Sequence, residues 1–298
     1  MNKLIIAFLF ITHSLFTKSQ DIKIIILDSL SNKPVSYASV CFMDKKSGTY
    51  ANENGIFFTH KINQTIQISH IGYYSQIIKL PVKDNTVKLQ PQTYFLNEIT
   101  VRPGKKKIDE IGYYKFKSYF NINGFSVDEL AVYFANSFNS EKTINQIIIG
   151  VNTDRRIKDA LGVNFVSVFR VNFYSTKENS TEPDSMILKK DMLFTSEILE
   201  HKTKIDISEY HLKFPVNGIF VSIEWVGIES ENTKELITDS KERMEPFVST
   251  TFEKTNTVVY ERNKFRDNKW KLVDKNHKYS IALKEDNFFT PKISLSLY

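Results

Sequence analysis

Few residues in this chain have the types and spacing to do chemistry. Glu224 and Trp225 stand side by side in the apolar run Ile-Phe-Val-Ser-Ile-Glu-Trp-Val that begins at Ile219. An indole face stacks on a sugar ring while a carboxylate takes its hydroxyls, so Trp225, Glu224 and the second tryptophan, Trp270, form a candidate ligand platform. Alternation along a strand sends Glu224 to the face opposite Trp225. On that pattern the plainer outcome is a core tryptophan with its glutamate turned outward. Trp270 falls in the polar run 266–271 and reads as exposed, either a platform at a loop tip or a hydrophobic cap.

Catalysis would ask for more. A glycosidase needs two carboxylates roughly 5–10 Å apart in a cleft. Glu229 and Glu231 lie in a polar loop, and no linear spacing fixes such a distance. The histidines His13, His60, His70, His201, His211 and His277 form no HxH or HExxH set, and none pairs with a cysteine, so a zinc site has no support. His201 and His211 can meet across strands, but surface or capping roles suit them better. Neither a G-x-S-x-G elbow nor a P-loop is present. The sequence therefore points to no catalytic residue, no metal and no cofactor.

The elements that must position these residues are strands. With 23 Phe, 14 Tyr, many β-branched residues and few alanines, the composition favours pleated, half-buried surfaces and an all-β fold. A length of 298 residues fits two domains. Residues 1–19 read as a signal peptide: Lys3 gives the positive start, an apolar stretch of about a dozen residues follows, and Thr17-Lys18-Ser19 offers a cleavage site. That stretch is too short to span a bilayer comfortably, and no later segment reaches 18 apolar residues, so no transmembrane helix is expected in the mature chain. Losing Lys3 and Lys18 leaves 38 basic residues against 34 acidic ones. So small and evenly spread an excess argues against nucleic acid as a partner. Cys41 stands alone, so no internal disulfide forms, which suits a bacterial envelope better than the endoplasmic reticulum. It reads as a core residue of its strand.

Strands are expected at residues 21–27, 35–43, 49–51, 56–58, 65–70, 75–80, 86–89 and 98–101. On the second of these, Val35, Tyr37, Ser39, Cys41 and Met43 would share a face. Asn54-Gly55 is the strongest hairpin signal in the chain, and Gly55 and Gly72 are expected to take positive φ. Within this stretch the motifs Lys33-Pro34-Val35-Ser36-Tyr37-Ala38-Ser39-Val40, Gly48-Thr49, Asn52-Glu53-Asn54-Gly55-Ile56-Phe57, Ile68-Ser69-His70-Ile71-Gly72-Tyr73 and Leu89-Gln90-Pro91 follow in order. They close on Leu96-Asn97-Glu98-Ile99-Thr100-Val101. Residues 21–102 resemble the carboxypeptidase regulatory-like domain, a transthyretin-like sandwich common at the N-termini of Bacteroidetes envelope proteins. The resemblance implies a non-catalytic module and an exported protein.

Arg102-Pro103-Gly104 and the lysines that follow mark a boundary, with a linker over 103–112. Beyond it, strands are expected at 115–120, 129–135, 143–151, 163–174, 192–195, 201–207, 219–226, 247–252, 258–260, 279–284 and 293–298, with a short turn at 184–188. The motifs Phe169-Arg170-Val171-Asn172-Phe173-Tyr174 and Gly218-Ile219-Phe220-Val221-Ser222-Ile223-Glu224-Trp225 are similar to those of secreted jelly-roll sandwiches. The organisation expected is thus a signal peptide (1–19), a first sandwich (20–102), a linker (103–112) and a second, larger jelly-roll-like sandwich (113–298). The function expected is that of an exported, non-enzymatic binding or accessory module, periplasmic, outer-membrane associated or on the cell surface. Its partner would be an envelope protein or a glycan. The alternatives are a hydrolase whose acidic pair assembles only in the folded second sandwich, and a structural subunit of an outer-membrane assembly.

Overall fold

The computed structural model describes residues 21–44, 47–60, 62–92, 108–112, 118–124, 128–138, 140–152, 165–196, 202–230, 235–238, 244–253, 258–273 and 288–298. The expected leader, the strands at 98–101 and 279–284, Glu231, His201 and His277 lie outside the described residues. Among the described residues the secondary structure is β throughout, apart from two short 3-10 turns, Lys83–Asn85 and Ser208–Tyr210.

The N-terminal sandwich is built from β1 (Ile22–Asp28), β2 (Ser39–Phe42), β3 (Ser47–Tyr50), β4 (Ile56–Thr59), β5 (Thr65–Ser69), β6 (Gln76–Lys79) and β7 (Thr86–Leu89). One sheet has the order β4-β1-β7, with β7 parallel to β1; the other, β3-β2-β5-β6, is antiparallel. Alternation turns Ile24 and Ile26 of β1, Val40 and Phe42 of β2, Phe57, Ile66, Ile68, Val87 and Leu89 into one apolar core. Each such side chain contributes about 1.5–3 kcal/mol by leaving water. The hairpin expected at Asn54-Gly55 does not form, because the flanking strands β3 and β4 pair in different sheets; Gly55 instead closes a tight turn that carries the chain from one sheet to the other. It takes φ 68°, where a Cβ would lie 2.5 Å from the Ile26 carbonyl oxygen, so only glycine fits. Gly72 likewise takes φ 87°.

Strand β2 is shorter than the run 35–43 expected. Tyr37, at φ 52°, breaks the extended backbone, and pairing begins only at Ser39. The expected common face is also split. Val35 packs inside the sandwich, whereas Tyr37 and Cys41 turn to its outer side.

The second sandwich starts earlier than expected. Residues Asp109–Gly112, read as linker, form strand β8, which pairs with the last strand of the chain. The remaining strands are β9 (Ser118–Gly124), β10 (Asp128–Phe134), β11 (Ile144–Asn152), β12 (Phe165–Thr176), β13 (Pro183–Met186), β14 (Met192–Ser196), β15 (Lys202–Asp206), β16 (Ile219–Ser230), β17 (Leu236–Ile237), β18 (Met244–Glu253), β19 (Val259–Asn263), β20 (Lys271–Leu272), β21 (Phe288–Pro291) and β22 (Ile293–Leu297). Pro183–Met186, which overlaps the turn expected at 184–188, is an edge strand on β12. An eight-stranded sheet follows the path β13-β12-β16-β10-β19-β20, with β14 on β12 and β17 on β16. A seven-stranded sheet follows β21-β18-β11-β22-β8, with β15 on β11 and β9 on β18. Between them lies a core of Ile147, Ile149, Phe169, Val171, Phe173, Val221, Ile223, Trp225, Ile293, Leu295 and Leu297.

Candidate functional site

Strand β16 is buried along 11 of its 12 residues, on both faces. Val221, Ile223 and Trp225 point into the core between the sheets. Ser222, Glu224 and Val226 point the other way, and that face is not open to water. The N-terminal sandwich covers part of it, and residues 264–270 cover the rest through Lys264, Phe265 and Trp270.

Strand register lines up four charges across four neighbouring strands of this outward face. Arg170 of β12 stands opposite Glu224 of β16, Glu224 opposite Glu129 of β10, and Glu129 opposite Arg262 of β19. Two like charges placed opposite each other on adjacent strands repel. Here each glutamate is offset by an arginine on its far side and by a set of neutral donors. Glu129 Oε1 accepts from Ser222 Oγ (2.5 Å), Asn172 Nδ2 (2.9 Å) and the Tyr174 hydroxyl (2.9 Å). Its other oxygen accepts from Arg262 Nη2 and, at 3.1 Å, from Arg262 Nε. Glu224 Oε1 accepts from the Tyr50 hydroxyl (2.5 Å), Lys264 Nζ (3.0 Å) and Arg170 Nη1 (3.3 Å), and Asn172 also reaches its second oxygen at 3.5 Å. Both carboxylates are 0% exposed.

The N-terminal sandwich completes this layer. Arg170 donates from Nη2 to the Tyr37 carbonyl oxygen (2.9 Å) and from Nε to Asp191 Oδ1 (2.5 Å). His70 Nε2 lies 2.8 Å from the other Asp191 oxygen. The Tyr37 hydroxyl donates to Glu229 at 2.7 Å, and the hydroxyls of Thr49 and Thr238 meet at 2.7 Å. Around these polar links Tyr37, Tyr50, Val168, Val226 and Phe265 form an apolar cluster with residues from both sandwiches. At Gly48 a Cβ would come within 2.5 Å of the Phe265 ring, so the absent side chain permits the close approach.

The electrostatics follow from burial and charge together. Burial pushes Glu224 up, but the ammonium of Lys264, then the Arg170 charge and the Tyr50 hydrogen bond, outweigh it and hold the carboxyl well below its ordinary range. Asp191 is likewise raised by burial and pulled back by Arg170 and His70, down to about 2. Tyr50 and Tyr37 are pushed up, first by burial and then by the carboxylates that they serve, so both stay protonated donors. Charged side chains packed this way hold geometry; with no exposed oxygen, neither glutamate meets a substrate.

The residues singled out from sequence therefore have different places. Trp225 is 1% exposed and packs edge-on against Phe169 in the core, so it offers no stacking surface. Glu224 does face away from Trp225, but it lies under the N-terminal sandwich rather than in solvent. Trp270 is half-buried, its ring edge-on to Tyr174 and topped by the Arg262 guanidinium 4.2 Å away, a cap over the Glu129 side of the network. Glu229, read as a loop residue, sits in β16 and is buried because β16 runs on past residue 226. Among the described residues no group of three or more His, Cys, Asp or Glu could hold a metal ion, and no helix is long and apolar enough to cross a membrane. Sequence reasoning missed Glu129, Arg170, Asp191 and Arg262. The available signal was a charge at an outward position inside an apolar strand, as in Val-Phe-Arg-Val and Ile-Glu-Trp.

Beside the network a cleft of about 490 Å³ opens between the sandwiches. Ser39 and Cys41 of β2 and Met43 just beyond it, with Gln67, Ser69 and Ser75, line one side; Lys264, Arg266, Asp267 and Asn268 line the other.

The family model of the CarboxypepD_reg-like domain matches residues 25–101, so the first sandwich is a carboxypeptidase regulatory-like domain, a non-catalytic regulatory fold. No curated protein matches the chain. Among solved structures it is similar to the cysteine protease and lectin-like domains of Cwp84, a surface layer associated protein of Clostridium difficile. That likeness covers 58% of this chain and 32% of the other, at 11% identity and a TM-score of 0.34. This chain thus spans about a third of that one, and a likeness so slight carries no argument.

Proposed function

We propose that this chain is an exported, non-catalytic envelope protein that binds a partner protein or a glycan, its regulatory-like sandwich clamped onto the second sandwich as a fixed part of one binding body. The observation that carries this reading is the burial of Glu129 and Glu224. They are the paired carboxylates of the second sandwich, and each is 0% exposed and tied to an arginine on a neighbouring strand. An acid–base pair needs access to the bond it cleaves; a pair buried this way serves to hold surfaces together. The leader-like residues 1–19 and the non-catalytic nature of residues 25–101 support an exported binding role over a hydrolytic one.

The test is a pull-down from detergent-solubilised envelope with the chain from residue 20 onward, beside a panel of polysaccharides and a panel of glycoside and ester substrates. Retention of a defined envelope protein or of one polysaccharide, without turnover, is expected. Steady hydrolysis that disappears in Glu129→Gln would overturn the reading, as would failure to retain anything.

A further inference from the structure

We infer that the cleft between the two sandwiches is a binding site for a carboxylated sugar unit of one or two residues. The inference rests on the binding reading above and names the ligand class for it. A volume of about 490 Å³ lies in the range of small-molecule sites, roughly 300–1,000 Å³.

The lining decides the chemistry. Arg266 is exposed and carries no ion pair among the described residues, so its planar fork is available to a carboxylate. Lys264 spends one donor on Glu224, and its side chain remains 25% exposed with donors to spare. The acidic member of the lining, Asp267, is engaged by Lys271 at 2.6 Å. The balance facing the cleft is cationic. Opposite these charges stand the hydroxyls of Ser69 and Ser75 and the amide of Gln67, groups that both donate to and accept from sugar hydroxyls, while the buried Ser39 hydroxyl bonds to Ser69 behind them. Cys41 and Met43 add a small apolar patch suited to a ring face or a methyl group. The one aromatic ring on the second sandwich's side, Phe265, is 4% exposed and packs against Tyr50, so it offers a sugar no stacking face. Recognition here runs through charge and hydrogen bonds, which favours an acidic sugar over a neutral one of the same shape.

The experiment is calorimetric titration of the chain from residue 20 onward with the disaccharide of galacturonate, against the neutral disaccharide of galactose. Saturable binding of the acidic sugar is expected, with the neutral one weaker by about tenfold or more, the difference made by one charge-assisted contact. Arg266→Ala should weaken the acidic sugar by a similar factor and leave the thermal midpoint unchanged, because the residue is exposed. Ser75→Trp, at the exposed mouth, should block both sugars. Equal affinity for the two sugars, no binding of either, or an unaffected Arg266→Ala would overturn the assignment. If envelope capture succeeds while the titration stays flat, the cleft assignment falls and the binding reading stands.

Discussion

The two faces of β16 are equally dry and are held by different physics. On one, Trp225 packs against Phe169 in a core of hydrocarbon. On the other, one residue earlier, Glu224 is equally buried but surrounded by Tyr50, Lys264 and Arg170. The first face pairs the two sheets of one sandwich and accepts any well-shaped apolar filling. The second joins two sandwiches, and its charges fix which surfaces meet and in what register. A buried ion pair contributes little net stability over an apolar replacement, but removing one partner alone is costly. The comparison separates a core that stabilises from an interface that specifies.

Truncation should show that separation most strongly. Trp225→Ala leaves a cavity and is expected to cost about 3–5 kcal/mol in urea unfolding, with no single second substitution restoring it. Glu224→Leu should cost a similar amount, about 3–5 kcal/mol, because Lys264 loses its counter-charge and Arg170 keeps only Asp191. The double variant Glu224→Leu with Lys264→Met should recover part of that loss, since the two charges of this pair then leave together while Arg170 keeps Asp191. A double variant no more stable than the single one would mean that the network itself stabilises the fold.

Of the two faces of β16, acid should act on the polar one. Asp191 sits at about 2 in the folded chain against an ordinary 3.8. A carboxyl lowered by folding stabilises the protein above its unfolded value and loses that contribution as pH falls through the folded one. Stability is therefore expected to drop by about 2 kcal/mol between pH 3.8 and about 2 on account of Asp191, and Asp191→Asn should remove that part of the slope. Trp225 variants should keep the slope unchanged. The smallest effect belongs to the rim: Thr49→Val loses the hydroxyl contact with Thr238 and should cost about 0.5–1.5 kcal/mol.

Much of the fold was legible where one strand carries its own pattern. Alternation placed β12 and β16, set Glu224 opposite Trp225, and marked Gly55 as a turn needing positive φ. What lay hidden depends on which strands become neighbours. Arg170, Glu224, Glu129 and Arg262 make one row only because β12, β16, β10 and β19 are adjacent, and Glu129 and Arg262 are 133 positions apart. No local pattern records that order. The outward face of β16 looked like a solvent face because a period of two reports sides, not what covers them. Strand β8 was lost for a related reason: four residues beyond a lysine tract become a strand only by pairing with the far end of the chain.

If the sandwiches are clamped through charges buried between them, the contact from Tyr50 to Glu224 must carry part of that clamp. A double-mutant cycle with Tyr50→Phe and Glu224→Gln, read by urea unfolding, isolates that one link across the interface. A coupling of about 1–3 kcal/mol is expected, the size of a buried hydrogen bond to a charged acceptor. Additive effects, with a coupling near zero, would contradict it and leave the two sandwiches as neighbours that merely touch.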